Sequence, residues 1–337
     1  MKRIAILGGG GWGTALAIVL SRTHRPHEIS LLVRDAALAE SLRRGRENTL
    51  YLPGHKLPET VEVAHDAAAG LQGAEVIVVA VPAAHARGLY QRVLPHVGRG
   101  VAIVSATKGL EPTTHARISE VIFQSSQATS PEFPARVGVL SGPSFAAEAA
   151  AGQPTAVVLA SSDLALRNEL QEEFAGPNFR LYTNEDVLGV ELAGAMKNVM
   201  AIAAGVCQGI GLGSNPLAAL ITRGLAEMTR LAVSLGARPE TLSGLAGLGD
   251  LVLTCTGSLS RNRHVGIELG KGRSLADILK GMKMVAEGVG TAGALLALAR
   301  GAGIELPITE QVDAILNLGR SPREAIRSIM DRPLKRE

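Results

Sequence analysis

Aromatic residues are scarce, at 3% of the 337 residues, and there is a single tryptophan, Trp12. A surface that stacks bases needs several rings, so the composition argues against single-stranded nucleic acid as a partner. Cysteine is rarer still. Cys207 and Cys255 cannot build a disulfide framework, which fits a reducing cytosol and a cytoplasmic protein. No Lys/Arg block is dense enough to favour a polyanion, although a net charge of +3 and a pI near 9.0 suit anionic small molecules. No Cys/His cluster has metal-ligand spacing and no serine stands in a nucleophile elbow, so the spacing suggests no metal site and no serine hydrolase. Internal repeats and low-complexity tracts are missing as well.

Long apolar runs are missing with one apparent exception. Met1-Lys2-Arg3 is followed by residues Ile4 to Leu20 without a charge, which loosely resembles a secretory signal. The glycines between Gly8 and Gly13 would spoil an apolar segment of that kind, and a strand followed by a glycine turn accounts for every residue better. No other stretch reaches the ~20 apolar residues of a membrane span, so no stable membrane insertion is expected.

What remains is a globular balance, 46% hydrophobic and 19% charged, long enough for two cores. Short β-branched runs alternate with helical segments over the first part. Strands are expected at Arg3–Leu7, Glu28–Leu32, Val61–Ala64, Val76–Ala80, Val101–Ser105, Val137–Leu140, Ala156–Ala160 and Phe179–Tyr182. Near-continuous apolar runs such as Val76 to Ala80 suit parallel strands covered on both faces. The fold class is α/β: an N-terminal Rossmann-like, doubly wound dinucleotide-binding domain over residues 1–185. An all-α, substrate-binding domain follows over residues 186–337. There, Asn215 is expected to cap a helix that Pro216 opens and Gly236 ends. The boundary lacks a flexible linker, so the two domains are expected to pack with a cleft between them.

Gly8, Gly10 and Gly13 form G-x-G-x-x-G directly after the first strand and before a helix at Thr14–Ser21. These glycines allow a tight turn and let a pyrophosphate approach the backbone at a helix N-terminus. The second strand runs out into Val33-Arg34-Asp35. Arg34 can clamp a 2′-phosphate, which favours NADP, whereas Asp35 in that place would bond the ribose hydroxyl of NAD. A solvated Arg34 is the plain alternative.

Chemistry is expected at three further places. Lys108 follows the fifth strand at its carboxyl end, the edge where ligands bind in open α/β sheets, though lysines at loop starts are often only solvated. Gly142, Pro143 and Ser144 repeat the arrangement one strand later, with Pro143 and Ser144 expected to begin a helix. Lys197 lies in an otherwise apolar helix near 186–206, with Ala193, Gly194, Ala201 and Ala204 around it. Burial there, and a second cation such as Lys108, should lower its pKa into the range of a general acid/base. A snorkelling lysine is the alternative. Asn198 is read equally as a positioning residue or as a backbone partner. Asp250 is expected to orient the lysines and Thr254 to bond a substrate oxygen, against a helix cap and a helix-bonded hydroxyl. Ser260, of the triplet Ser260-Arg261-Asn262, sits where a helix could begin, just before Arg261–Leu269, with Gly270 placed to end it. That is a seat for a phosphate. Arg223 and Glu227, at i and i+4, read as a structural ion pair.

Taken in order, the blocks Gly8–Ala17, Asn48–Gly54, Ser105–Glu111, Ser141–Glu148, Glu191–Gly205, Leu248–Arg263 and Val285–Gly288 strongly resemble the bacterial NAD(P)-dependent glycerol-3-phosphate dehydrogenases. The resemblance implies interconversion of sn-glycerol 3-phosphate and dihydroxyacetone phosphate, supplying glycerol phosphate for phospholipids. It implies Lys197 as the catalytic proton acceptor, with Thr254 a further active-site residue. Lys108, Gly142, Ser144, Lys197, Asp250, Ser260, Arg261 and Asn262 correspond to substrate contacts. Gly11, Trp12, Arg34, Tyr51, Lys108, Ala146, Arg261, Val285 and Glu287 correspond to cofactor contacts. One departure matters: the family commonly has serine before the tryptophan, where this chain has Gly11, so any side-chain hydroxyl contact is lost there. NADP is the expected cofactor with NAD acceptable, and a homodimer is expected. Two rivals stand: a dehydrogenase of another hydroxy acid, and a dinucleotide-sensing protein that has lost its chemistry.

Overall fold

The computed structural model describes residues 1–129 and 136–334, so the last three residues of the expected helical domain lie outside the described residues. The chain divides into two compact units. Met1–Glu111 with Ala116–Glu191 form the first, and Pro112–His115 with Leu192–Glu337 the second. The division falls inside one long helix, Val187–Gly209.

The first unit is built on an eight-stranded sheet in the order β3-β2-β1-β4-β5-β6-β7-β8. The strands are β1 Lys2–Leu7, β2 His27–Leu32, β3 Val61–Ala64, β4 Val76–Val79, β5 Ala102–Ser105, β6 Arg136–Ser141, β7 Thr155–Ala160 and β8 Phe179–Asn184. All eight expected strands are present, with ends shifted by a residue or two. Alternation along each strand fills both faces. Ile4, Ile6, Val76, Val78 and Val104 join one buried cluster, and Ala5, Leu7, Ile77, Val79 and Ile103 join the other. The uncharged stretch Ile4 to Leu20 is thus the end of a central strand, a glycine turn and a buried helix, Gly11–Leu20.

One seam of the sheet is not parallel. β6 pairs antiparallel with β7, and β7 and β8 are parallel to each other. Between β6 and β7 the chain runs through residues 142–154, which hold one five-residue helix, Ala146–Ala150.

The second unit is helical among the described residues. Its local surprises concern termini. The helix Ser214–Ser234 is capped by Gly213, not Asn215, and Pro216 falls in the first turn, where a missing N–H is harmless. Glu227 does not pair with Arg223. Its carboxylate accepts from Ile308 N at 2.8 Å, Thr309 N at 2.9 Å and Thr309 Oγ1 at 2.7 Å, capping the buried start of the helix Pro307–Asn317. A helix terminus with unsatisfied donors outcompetes a solvated i, i+4 partner. Burial raises the pKa of this carboxyl, against the pull of those hydrogen bonds.

The contact that matters most for the site is made by glycines. The long helix presents Gly205 and Gly209 to Gly266 and Gly270 of the helix Arg261–Gly270. A Cβ added at Gly205 would stand 2.0 Å from the Arg263 carbonyl oxygen, and one at Gly266 would stand 2.0 Å from that of Ile202. The two backbones therefore touch directly, closer than any residue with a side chain allows.

Candidate functional site

In the first unit the glycine loop leaves β1 and enters the helix Gly11–Leu20 three residues earlier than expected, with Gly10 at the cap and no capping side chain. Gly8 has φ +126°, and a Cβ there would meet the Ala80 carbonyl oxygen at 2.5 Å; one at Gly13 would meet the Gly8 oxygen at 1.9 Å. These two glycines are needed for the turn itself. Gly10 differs, because a Cβ there meets nothing within 4 Å. A loop tight on its inner side and open at an uncapped helix N-terminus fits a pyrophosphate. Gly11 comes close to Tyr51 and Ala146, so these residues of the expected cofactor set share one locality. Trp12 Nε1 is buried without a hydrogen-bond partner.

Arg34 and Asp35 part company. Asp35 caps the helix Ala36–Gly45, its Oδ1 accepting from Leu38 N at 2.8 Å. Arg34 is exposed and, among the described residues, has no hydrogen-bond or ion-pair partner. The cation is the group left available to a ligand.

Lys108 is not simply solvated. Its Nζ donates to the Gly142 carbonyl oxygen at 2.8 Å and to Ser144 Oγ at 3.3 Å, and Ser144 Oγ donates to the same carbonyl at 2.9 Å. The ends of β5 and β6 thereby bring Lys108, Gly142 and Ser144 together. Gly142 has φ +118°, which a side chain would resist. Pro143 and Ser144 do not begin a helix; the turn starts at Ala146, behind Phe145.

In the second unit Lys197 is buried, at 6% exposure, which removes the snorkelling alternative. Its Nζ donates to Asp250 Oδ1 at 2.7 Å and to Thr254 Oγ1 at 3.0 Å. Asp250 is not a helix cap. It is the first residue of the helix Asp250–Thr256, reached through a π-helical turn, Leu245–Gly249, closed by Gly249 N to the Gly244 oxygen at 3.1 Å. Thr254 Oγ1 donates to the Asp250 carbonyl oxygen one turn back, at 2.5 Å, so its lone pairs face the lysine. A buried cation is held between a carboxylate and a hydroxyl, the arrangement that keeps charge on an amine out of water. Beside it, Cys255 is also buried, and its thiol is pushed up to about 12 by desolvation. Both cysteines are free.

Ser260 caps the helix Arg261–Gly270 as expected, its Oγ accepting from Arg263 N at 3.2 Å. Arg261 donates to the Val285 carbonyl oxygen at 3.1 Å, and the residue keeps part of its surface in solvent while protein crowds its guanidinium. Desolvation pulls its pKa down and the Glu287 carboxylate opposes that, which gathers Arg261, Val285 and Glu287 in one place. Asn262 is buried instead. Its Nδ2 donates to Asn198 Oδ1 at 2.9 Å and its Oδ1 accepts from Gly288 N at 3.0 Å. Asn198 Nδ2 in turn donates to the Gly194 oxygen at 3.3 Å. Both readings of Asn198 thus hold in part: it bonds backbone and it ties the arginine's helix to the turn that bears Lys197.

Sequence reasoning left Asn48 without a role. It lies in one of the family-like blocks, is fully buried, and bonds the glycine loop. An asparagine ahead of a Tyr-Leu-Pro-Gly turn reads as loop chemistry, and nothing local reveals a partner some forty residues away.

A family model described as the NAD-dependent glycerol-3-phosphate dehydrogenase N-terminus matches residues 3–167, and its C-terminal counterpart matches residues 186–327. A glycerol-3-phosphate dehydrogenase (NAD(P)+) of Koribacter versatilis is 53% identical over 334 residues, covering 99% of this chain and 98% of its own. One of Acidobacterium capsulatum is 52% identical over 337 residues, with 99% of each covered. The crystal structure of glycerol-3-phosphate dehydrogenase from Coxiella burnetii superposes with a TM-score of 0.91 at 40% identity, covering 98% of this chain and 99% of that one.

Proposed function

Since the chain belongs to the NAD-dependent glycerol-3-phosphate dehydrogenase family, we propose that it interconverts sn-glycerol 3-phosphate and dihydroxyacetone phosphate with NAD(P), using Lys197 to carry the proton. When bound, the nicotinamide supplies or accepts the hydride at C2, which leaves binding, orientation and proton transfer to the protein. In reduction an Nζ–H bond of Lys197 breaks and an O–H bond forms at the C2 oxygen; in oxidation the transfer reverses. Asp250 balances the charge on the ammonium form and fixes the Nζ direction, and Thr254 accepts from the same nitrogen. Arg261 holds the phosphate at the start of its helix, with Ser260 and Asn262 beside it. Lys108, Gly142 and Ser144 bind the substrate's remaining oxygens.

The observation that carries this reading is the buried Lys197–Asp250–Thr254 cluster, with Nζ within 2.7 Å and 3.0 Å of its two partners. On the cofactor side, Gly8, Gly10, Gly11, Trp12, Gly13, Tyr51 and Ala146 seat the dinucleotide, and Arg261, Val285 and Glu287 are read as further cofactor contacts. NADP is preferred over NAD, because Arg34 is available while Asp35 is committed to a helix cap. The reading includes a cytoplasmic homodimer that supplies glycerol phosphate for phospholipid synthesis. The free thiols fit that compartment. One helix, Val187–Gly209, is long and apolar enough to span a membrane, but most of it is buried, as in the core helix of a folded protein.

The test is direct: dihydroxyacetone phosphate and NADPH are mixed with pure, folded protein and absorbance is followed. No turnover would overturn the reading. Glycerol should be a poor substrate in the reverse direction because it lacks the phosphate. Arg34→Ala should weaken NADPH and leave NADH nearly unchanged; equal efficiency with both cofactors before the change would remove the NADP preference. Sedimentation equilibrium decides the dimer.

A further inference from the structure

Residues 48–52 are fastened to the glycine loop by one side chain. Asn48 Nδ2 donates to the Gly9 carbonyl oxygen at 2.9 Å and to Thr14 Oγ1 at 2.8 Å, and its Oδ1 accepts from Tyr51 N at 3.1 Å. Leu52 N closes the turn on the Asn48 oxygen at 2.8 Å. Asn48 and Thr14 are both fully buried. One amide therefore satisfies groups on two segments distant in sequence, and burying it is favourable only while those partners stay in place.

The same contact is tight from the other side. A Cβ added at Gly11 would stand 2.8 Å from the Tyr51 carbonyl oxygen. That oxygen is backbone and cannot swing aside as the end of a long side chain can. Any residue but glycine at 11 must push the 48–52 segment outward or give up the closure. Asn48 pulls the segment onto the loop, and Gly11 leaves it room to arrive.

We propose that Asn48 is a positioning residue for the dinucleotide, holding Tyr51 and the glycine loop as one preformed seat, and that glycine at position 11 is what lets the Tyr51 carbonyl close it. The proposal rests on the reading of the glycine loop as the cofactor seat. A preformed seat spares the ligand the ordering of 48–52, so its loss should appear as weaker cofactor binding.

Trp12 makes the test possible without turnover. It is the sole tryptophan and lies in the first turn of the helix that the glycine loop enters, so its emission reports the seat in cofactor-free protein. Asn48→Ala should shift that emission and raise the NADPH Kd, read by titration, about tenfold. The kcat at saturating cofactor should stay within about twofold. Gly11→Ala should act in the same direction while keeping the Asn48 side chain. Thr14→Val, which removes one acceptor only, should raise Kd by about two- to threefold. If Asn48→Ala fails to fold, Gly11→Ala and Thr14→Val carry the measurement. Unchanged NADPH Kd and unchanged Trp12 emission in the folded variants would overturn the proposal. So would a lowered Tm with native Kd, which would make Asn48 purely structural. Failure of the native protein to bind NADPH or NADH would instead sink the cofactor reading of the loop, and the Trp12 shift would still decide whether Asn48 couples the two segments.

Discussion

Lys108 and Lys197 are the same residue in two environments. Lys108 is half-buried at the ends of two strands, where a backbone carbonyl and a serine hydroxyl fix its ammonium. Lys197 is buried in a helix face of small residues and shares its proton's surroundings with a carboxylate and a threonine. Fixed by those two oxygens, the Lys108 ammonium can bind and orient an anion. Beside Asp250 and Thr254, the Nζ protons of Lys197 are held in fixed directions, as delivery to a nascent alkoxide requires. The contrast teaches that the neighbours, more than residue type, set what a lysine is placed to do, and the division proposed above, binding for one and proton transfer for the other, rests on them.

The strongest way to break that division is Lys197→Ala, expected to lower kcat about a thousandfold with NADPH Kd nearly unchanged. Stopped-flow reduction and a cofactor titration measure the two separately, and native kcat would end the proton-transfer role. Lys108→Ala should act mainly on KM, raising it for dihydroxyacetone phosphate between about 10- and 100-fold through loss of charged hydrogen bonds. Should it instead lower kcat as far as Lys197→Ala at native KM, the two lysines would not differ as argued.

Gly266→Ala sharpens the comparison without touching either lysine. Its methyl would collide with the Ile202 carbonyl oxygen. Displacing the helix Arg261–Gly270 from the Lys197 helix should lower stability by about 2 kcal/mol, read by urea melts, and depress kcat as well. The smallest effect belongs to Glu268 on that helix, which pairs with Lys271 at 2.8 Å and Arg273 at 2.9 Å. Those partners hold its carboxyl down at about 2, below its ordinary 4.5. A depressed folded-state pKa adds stability above pH 4.5 that is lost as pH falls toward 2. The stability gap between native protein and Glu268→Gln should therefore close across that window, with kcat unaffected. A gap independent of pH would assign the pair no linked stability.

The strands were legible because buried parallel strands write themselves as apolar runs, Val76 to Val79 being the clearest. The reversal of β7 was not, since an apolar run reads the same whichever way the strand is laid into the sheet. Ser260 could be read as a cap because the capping bond is made within three residues. Glu227 could not, because its partners at 308 and 309 are supplied by the fold. At the site, Lys197 stood out as a charge in an apolar helix and Asp250 and Thr254 as polar residues among glycines, but their mutual contact joins positions more than fifty residues apart. Gly205, Gly209, Gly266 and Gly270 carried a signal of their own, spacing of four in each helix, yet in isolation such glycines read only as helix stops.

Those four glycines have a further consequence. Where two backbones touch, no rotamer can absorb an error and no side chain can be trimmed to correct one. The separation of the two helix backbones at that crossing is then set by main-chain thickness, a dimension the genetic code cannot vary. Tuning this enzyme toward a longer or shorter phosphorylated substrate should succeed by changing loops and lining residues and fail at that crossing. In a saturation library scored on activity, the crossing would emerge as a band of intolerant positions bearing no functional group at all.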